Sequence, residues 1–397
     1  MSNKYEHYKE KKIYFYRNET DNKHIVFDGS EFYTMTEEKK REILNKPFGH
    51  NFILVRTNAK NDEDMKTEYK QYISDIEEIK SITDNKINMY KTGTIGNTAL
   101  SLFTSFNNIE AERVEEFEYP FLNNGGGVRF ARKDYEGIAY KYDINSFYPS
   151  MMLSRYIRIP LKPGRLINIK TDELEQKRCA KYGVYNVIIE CDDPAMFSTN
   201  DKNLYSHFEV NYAKKLNLKI TVIGQCIVWD KEDTASFYDV FNKYINYLYP
   251  QKKKHKQIKF IMNSLWGVLC SSRGGDNVKY IMNYSDIKFN GEHKIKKITP
   301  LDDTYTKCEV LISRDIKFYR TNYARMKPFL LGFGRITMHK IFNKIGYDNV
   351  VWSHTDSVVC SKQLSREIRI TGKIGDWKYE GKTKNCYVYN KNFIDGF

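Results

Sequence analysis

Between residues 63 and 82 the apolar positions return at helical spacing. Tyr69, Tyr72, Ile73, Ile76 and Ile79 share one side, which predicts an amphipathic helix. At 137–143 the period drops to two: Gly-Ile-Ala-Tyr-Lys-Tyr-Asp alternates as a strand that ends on Asp143. The following Ser-Phe-Tyr-Pro-Ser stretch reads as a turn entering a short helix. Ser206 and Glu209 have capping-box spacing, so a helix starts there. The apolar run 220–229 reads as a strand. Phe237, Phe241, Tyr244, Ile245 and Leu248 mark a helix over 232–248, which Pro250 ends. A second helix over about 254–266 makes an αα-hairpin with Lys252, Lys253 and Lys254 at its tip. Residues 276–318 hold no sustained period and read as irregular or β-hairpin structure. A helix over 329–345 and a strand, tight turn and strand over 349–360 complete the pattern. The fold class is α+β.

Composition narrows the partners. The 397 residues allow two or three domains, or one body with subdomains. The net charge of +14 and the 15% aromatic content suit a polyanion with stackable bases, though a Lys-rich composition alone also explains the charge. The seven cysteines are scattered, with no C-x-x-C pair, so neither a disulfide framework nor a zinc knuckle is indicated. The N-terminus is charged, not apolar, and no run is long enough to span a membrane. The expected setting is an intracellular, reducing compartment, such as a host cytoplasm or an organelle matrix.

Three segments carry candidate chemistry. Asp143 ends a strand and suits either a metal-holding carboxylate or a cap of the next helix. Asp356 lies at a hairpin turn, where aspartate is also an ordinary turn residue. Lys259, Asn263 and Trp266 sit at i, i+4 and i+7 on one helix face, with Ile258, Ile261 and Leu265 mostly opposite. A cation, an amide and an aromatic ring on one face suit a nucleotide; a solvated face with one half-buried Trp is the plainer reading. Two-metal phosphoryl transfer needs carboxylates from separate segments, holding ions about 3.5–4 Å apart, plus a cation for the triphosphate. The three segments together supply those parts.

Their order resembles family B DNA polymerases. Asp143-x-x-Ser146-Phe147-Tyr148-Pro149-Ser150 is similar to motif A, D-x-x-S-L-Y-P-S. Lys259-x-x-x-Asn263-Ser264-x-Trp266-Gly267 is similar to motif B, and Thr355-Asp356-Ser357 to motif C, D-T-D-S. The resemblance covers about residues 118–390. It implies a right-hand polymerase with an antiparallel-sheet palm, helical-hairpin fingers and a short or missing thumb. It implies two Mg²⁺ or Mn²⁺ ions on Asp143, Asp356 and the Ile144 carbonyl. Ser146, Tyr148, Lys259, Asn263 and Trp266 would meet the deoxynucleotide, with Tyr148 excluding a 2′-hydroxyl. One of Lys252–Lys254 would give a second phosphate contact. The implied partners are primer-template DNA and deoxynucleoside triphosphates, with no membrane.

Three weaker features resemble the protein-primed subgroup of small phages, viruses and linear plasmids, whose primer hydroxyl belongs to a terminal protein. The glycine run at 123–127, with Gly125 and Gly126, lies where that subgroup contacts template. The segment 374–380 resembles the lead into a primer-grip motif, with Lys384 and Tyr387 (or Tyr389) as candidates. The stretch 276–318 sits where that subgroup carries an insertion, and reads equally as a surface excursion. The chain departs from the family in motif B, where Trp266 replaces the usual Tyr and keeps the aromatic face, and in two further places. His354 stands where motif C has its first Asp, and Arg17, in Arg-Asn-Glu-Thr, stands where a proofreading nuclease needs an Asp. Tyr-Ile-Ser-Asp at 72–75 only faintly echoes a further nuclease motif. The expected layout is therefore 1–117 a degraded exonuclease-like remnant, 118–245 and 319–370 palm, 246–275 fingers, 276–318 insertion and 371–397 the start of a thumb or primer grip. The expected activity is DNA-directed DNA synthesis without 3′–5′ exonuclease. The rivals are a decayed polymerase serving as a nucleic-acid-binding replication accessory, and an RNA-templated polymerase.

Overall fold

The computed structural model describes residues 8–20, 22–45, 51–122, 125–192, 197, 203–272, 277–283, 293–300, 305–312 and 319–397. Their centre is a six-stranded sheet. Its order is Phe393–Asp395, Trp377–Asn390, Glu136–Ile144, Ser357–Cys360, Val350–His354 and Arg129–Ala131, with every neighbouring pair antiparallel. Tyr142, Ile144, Val358 and Trp377 face the main core, while Ala139, Val351, Val359 and Val388 pack on the other side. Burial on both faces explains the unbroken apolar run at 358–360.

The helical hairpin packs on the main core. Phe237–Leu248 starts at Ser236, whose hydroxyl accepts from the Asp239 N–H, and buries Phe237, Phe241, Tyr244, Ile245 and Leu248. A short 3₁₀ turn over Tyr249–Gln251 holds Pro250, and Lys256–Leu269 returns. Lys327–Ile345 lies across the same core.

The stretch between the Asp143 segment and the hairpin builds a sheet of its own. Leu204–Ser206, Gly183–Ile189, Cys226–Val228 and Arg165–Ile167 pair in that order, and Ile220–Val222 also pairs with Gly183–Ile189. The strand expected over 220–229 is therefore two strands, interrupted at Gly224. A Cβ there would lie 2.4 Å from the Asn186 amide nitrogen. Tyr185, Val187, Tyr205 and Val210 give this sheet a separate core, and His207–Lys215 starts at the Ser206/Glu209 capping box.

The N-terminal region is a four-stranded sheet, Phe32–Thr36, Lys23–Phe27, Lys12–Thr20 and Phe52–Arg56, whose last pair is parallel. The Asp62–Ile82 helix, capped by Asn61, buries Met65, Ile76 and Ile79. Within 276–318 the described strands Asn277–Asn283, Tyr305–Ile312 and His293–Pro300 form one antiparallel sheet. No helix among the described residues is long and apolar enough to cross a membrane.

Candidate active site

Strand pairing brings the two aspartates together. Asp143 stands opposite Ser357, and the Ile144 N–H donates to the Asp356 carbonyl at 2.9 Å. Residues 213 positions apart in the chain thus meet at one end of the sheet. Both turns there are bent into the left-handed region: Ser146 has φ +54° and Thr355 φ +61°. For a β-branched residue such as Thr355 that conformation is strained and must be held from outside. Its N–H donates to the Val128 carbonyl at 2.8 Å. Gly127 lies so close that a Cβ would come within 3.0 Å of the Thr355 side chain. The Gly126 carbonyl in turn accepts from buried Arg335 at 2.7 Å. The glycine run therefore braces the Asp356 turn, and neither Gly125 nor Gly126 lines the cavity beside the aspartates.

The electrostatics of this end of the sheet are unfavourable by design of the backbone. Burial, then Asp356 and Glu380, push the Asp143 carboxyl up to about 7. Burial and Glu380 push Asp356 up to about 6, with Lys259 pulling the other way. Lys378 and Lys141 pull Asp143 the other way, but both also pair with Glu380, at 3.1 and 3.5 Å.

The Lys256–Leu269 helix closes the site. Ile258, Ile261 and Leu265 are fully buried, which turns Lys259, Asn263 and Trp266 toward the aspartates. Trp266 packs on Tyr148 with centroids 5.0 Å apart. Burial and Asp356 raise the Tyr148 hydroxyl above its ordinary value. The Asn263 side-chain oxygen is buried without a hydrogen-bond partner, an acceptor available to a ligand. Asp143, Ile144, Ser146, Tyr148, Lys259, Asn263, Trp266 and Asp356 all line one cavity of about 810 Å³.

Two expected contacts lie elsewhere. Lys384 and Tyr387 sit along the Trp377–Asn390 strand, where Lys378 faces Asp143 but Tyr387 faces Glu136. Strand rise along the Asp143 strand puts them roughly 13–23 Å from the aspartates. Of the Lys252–Lys254 group, Lys252 and Lys253 line the cavity, and Asn145, Gly372, Lys378 and Glu380 line it without having been singled out from the sequence. Lys378 and Glu380 arrive through pairing with the Asp143 strand; their only local signal is a pair of opposite charges beside the buried Trp377. His354 stacks on Trp352, and burial and Arg129 lower its pKa.

Beside the N-terminal sheet a second cavity, of about 690 Å³, is lined by Arg56, Glu68, Asp75 and Lys256 among others. Arg17 forms an ion pair with Asp62, and Asp75 accepts from Gln71 at 2.7 Å. Among the described residues, no group of three or more His, Cys, Asp or Glu is placed to hold a metal by itself.

No protein-family model matches the chain, and no curated protein matches it. Solved structures do. Phi29 DNA polymerase in complex with single-stranded DNA matches with TM-score 0.57 and 16% identity, over 82% of this chain and 57% of that one. Phi29 DNA polymerase with primer-template DNA and incoming nucleotides matches with TM-score 0.58 and 14% identity, over 94% of this chain and 70% of that one. The chain thus spans little more than half of the first of these and has a fold similar to that of a DNA polymerase.

Proposed function

We propose that this chain is a DNA-directed DNA polymerase. The observation that carries the reading is the register placing Asp143 and Asp356 beneath the Lys259–Asn263–Trp266 helix face, in one cavity. The six-stranded sheet is then the palm and the helical hairpin the fingers. The strands Trp377–Asn390 and Phe393–Asp395 are part of that sheet, so 371–397 carries a primer grip on the palm and not the expected start of a separate thumb, and 1–117 are a remnant without nuclease activity.

The donor set fits a divalent cation. Two half-buried like charges need a counter-charge, and Mg²⁺ is commonly held by one or two carboxylates with substrate phosphates and water completing its shell. Two Mg²⁺ or Mn²⁺ ions on Asp143, Asp356 and the Ile144 carbonyl would stabilise the attacking and leaving oxygens of an in-line displacement. Lys259, with Lys252, binds the triphosphate and offsets the charge that gathers on pyrophosphate as it leaves. A primer hydroxyl forms the new bond to the α-phosphorus, its proton passing to solvent, while the bond to the β-phosphate oxygen breaks. Trp266 and Asn263 shape the base-pair pocket. Tyr148, held by Trp266, fills the place of a 2′-hydroxyl. The glycine run contacts template only through its backbone, and Lys384 and Tyr387 meet the primer strand well behind its end. The primer hydroxyl belongs to a DNA strand or to a terminal protein.

Primer extension with DNA and RNA templates tests the reading. Extension on DNA that is lost in Asp143→Asn supports it. Firm duplex binding with no extension at any Mg²⁺ or Mn²⁺ concentration overturns it in favour of a binding accessory.

A further inference from the structure

Asn145 makes more contacts than a turn residue needs. Its amide NH₂ group shares its two hydrogens among the Tyr249 hydroxyl at 3.1 Å and the carbonyls of Gly372 and Lys373 at 2.9 and 3.1 Å. Its amide oxygen accepts from the Lys252 ammonium. Its backbone N–H donates to the Asp376 carbonyl at 2.9 Å, and its own carbonyl accepts from the Gly375 N–H at 2.8 Å. One residue therefore joins three segments: the Asp143 turn, the tip of the helical hairpin, and the loop 372–376.

The network fixes the amide's orientation. Three oxygen acceptors on one side need the NH₂ group, and an ammonium on the other needs the carbonyl. Aspartate could serve only the lysine, and alanine could serve nothing. The loop it grips is itself rigid, because Asp376 accepts from Arg369 and Thr371. Gly375 approaches so closely that a Cβ would lie 3.0 Å from that of Ser150.

Lys252 is the part that matters for a ligand. It is half-buried, lines the cavity, and also donates to the Ser146 hydroxyl. An ammonium has three N–H donors, and Asn145 and Ser146 take two of them. The third is left for an anion. A free lysine would lose side-chain entropy on meeting that anion; one already held does not.

We propose that Asn145 is a positioning residue for nucleotide binding, holding Lys252 at the cavity so that its remaining donor meets the terminal phosphates of the incoming triphosphate. This rests on the polymerase reading above. It adds a residue that touches neither the reacting atoms nor a metal, and it makes the hairpin tip and the loop 372–376 seat together.

The test is a double-mutant cycle between Asn145→Ala and Lys252→Met, read as KM and kcat for deoxynucleotides. Asn145→Ala should raise KM about tenfold, the size of one charge-assisted phosphate contact, and change kcat less than about threefold. Lys252→Met should match it, and the double variant should be no worse than the worse single one. Equilibrium titration with a non-incorporable deoxynucleotide analogue should show the same coupled losses. Effects that multiply in the double variant, or a fall in kcat with KM unmoved, overturn the proposal and leave Asn145 a structural staple. If Asn145→Ala does not fold, Asn145→Ser, which keeps an oxygen acceptor, replaces it in the same cycle. Failure of the wild type to extend a primer would instead defeat the polymerase reading. Wild-type extension with an unchanged KM in Asn145→Ala defeats this inference alone.

Discussion

Charge is handled in opposite ways at two places in the molecule. Arg325 and Glu118, 207 residues apart, are both wholly buried and meet in a two-pronged pair at 2.8 and 2.7 Å. The remaining Arg325 donors reach the carbonyls of Glu112 and Arg113, and Glu118 also accepts from the N–H groups of Glu115 and Gly164. Asp143 and Asp356 are like charges, brought together by strand pairing, with Glu380 adding to the repulsion. The first arrangement is complete without any ligand. The second is unfavourable until something positive arrives, which is the signature of a site rather than of a core.

The sharpest way to break this contrast is to remove one charge at each place. Asp143→Asn or Asp356→Asn should abolish primer extension while the fold survives, as judged by circular dichroism. Either variant extending at normal metal concentration would remove the reason for reading the pair as an ion site. Arg325→Met should do the reverse. It strands a buried carboxylate and should cost about 3–5 kcal/mol of stability in denaturant unfolding. Replacing both partners with apolar residues should recover most of that loss. A double variant as unstable as the single one would show that the backbone contacts of Arg325, not the pair, hold this region.

The two places also differ in how far they can be read from sequence. Asp143, Lys259, Asn263, Trp266 and Asp356 are legible because each sits in a short local pattern: a strand end, one helix face, a hairpin turn. Asn145 lies inside the same pattern, yet its role depends on Tyr249, Lys252 and the loop 372–376, which spacing does not reveal. Glu380 and Lys378 enter through a strand register. Arg325 and Glu118 carry no signal at all, since a buried pair looks like any two charges in a chain with 29% charged residues. The long amphipathic helices emerge within a few residues of their expected ends. The sheet at 165–228 does not, because strands of three residues are too short for a period of two to be seen.

On the ligand side, Lys259→Ala should lower kcat/KM roughly ten- to a hundredfold, the cost of a charge-assisted contact to phosphate. Duplex affinity and its salt dependence should stay near wild type. A loss of one unit in the salt slope would place Lys259 on the template backbone instead. Tyr148→Val should favour ribonucleotides by about tenfold, because it removes a ring rather than a polar partner. Competition between the two sugars in one extension reaction measures it, and unchanged selectivity would take the gate away from Tyr148.

The smallest effect is the most direct test of the like-charge cluster, because it needs no catalysis. Burial and neighbouring carboxylates push Asp143 and Asp356 up to about 7 and about 6 in the fold, against an ordinary value of 3.8. Between about pH 4 and 7 the folded chain therefore holds protons that the unfolded chain has released. Stability from these groups is complete below pH 4 and falls as pH rises through 6 and 7, opposite to a salt-bridged aspartate. The groups facing them are each other, Glu380, Lys378, Lys141, Lys252 and Lys259. With metal removed, Asp143→Asn should raise the unfolding midpoint at pH 8 by about 1–3 °C and leave it nearly unchanged at pH 4. Added Mg²⁺ should stabilise wild type more at pH 8 than at pH 5, since protons and the ion compete for the same oxygens. Arg325→Met should lower the midpoint at both pH values without changing this slope. If Asp143→Asn instead destabilises the metal-free protein at pH 8, the carboxylate is serving the fold as Glu118 does, and the contrast between the two places disappears.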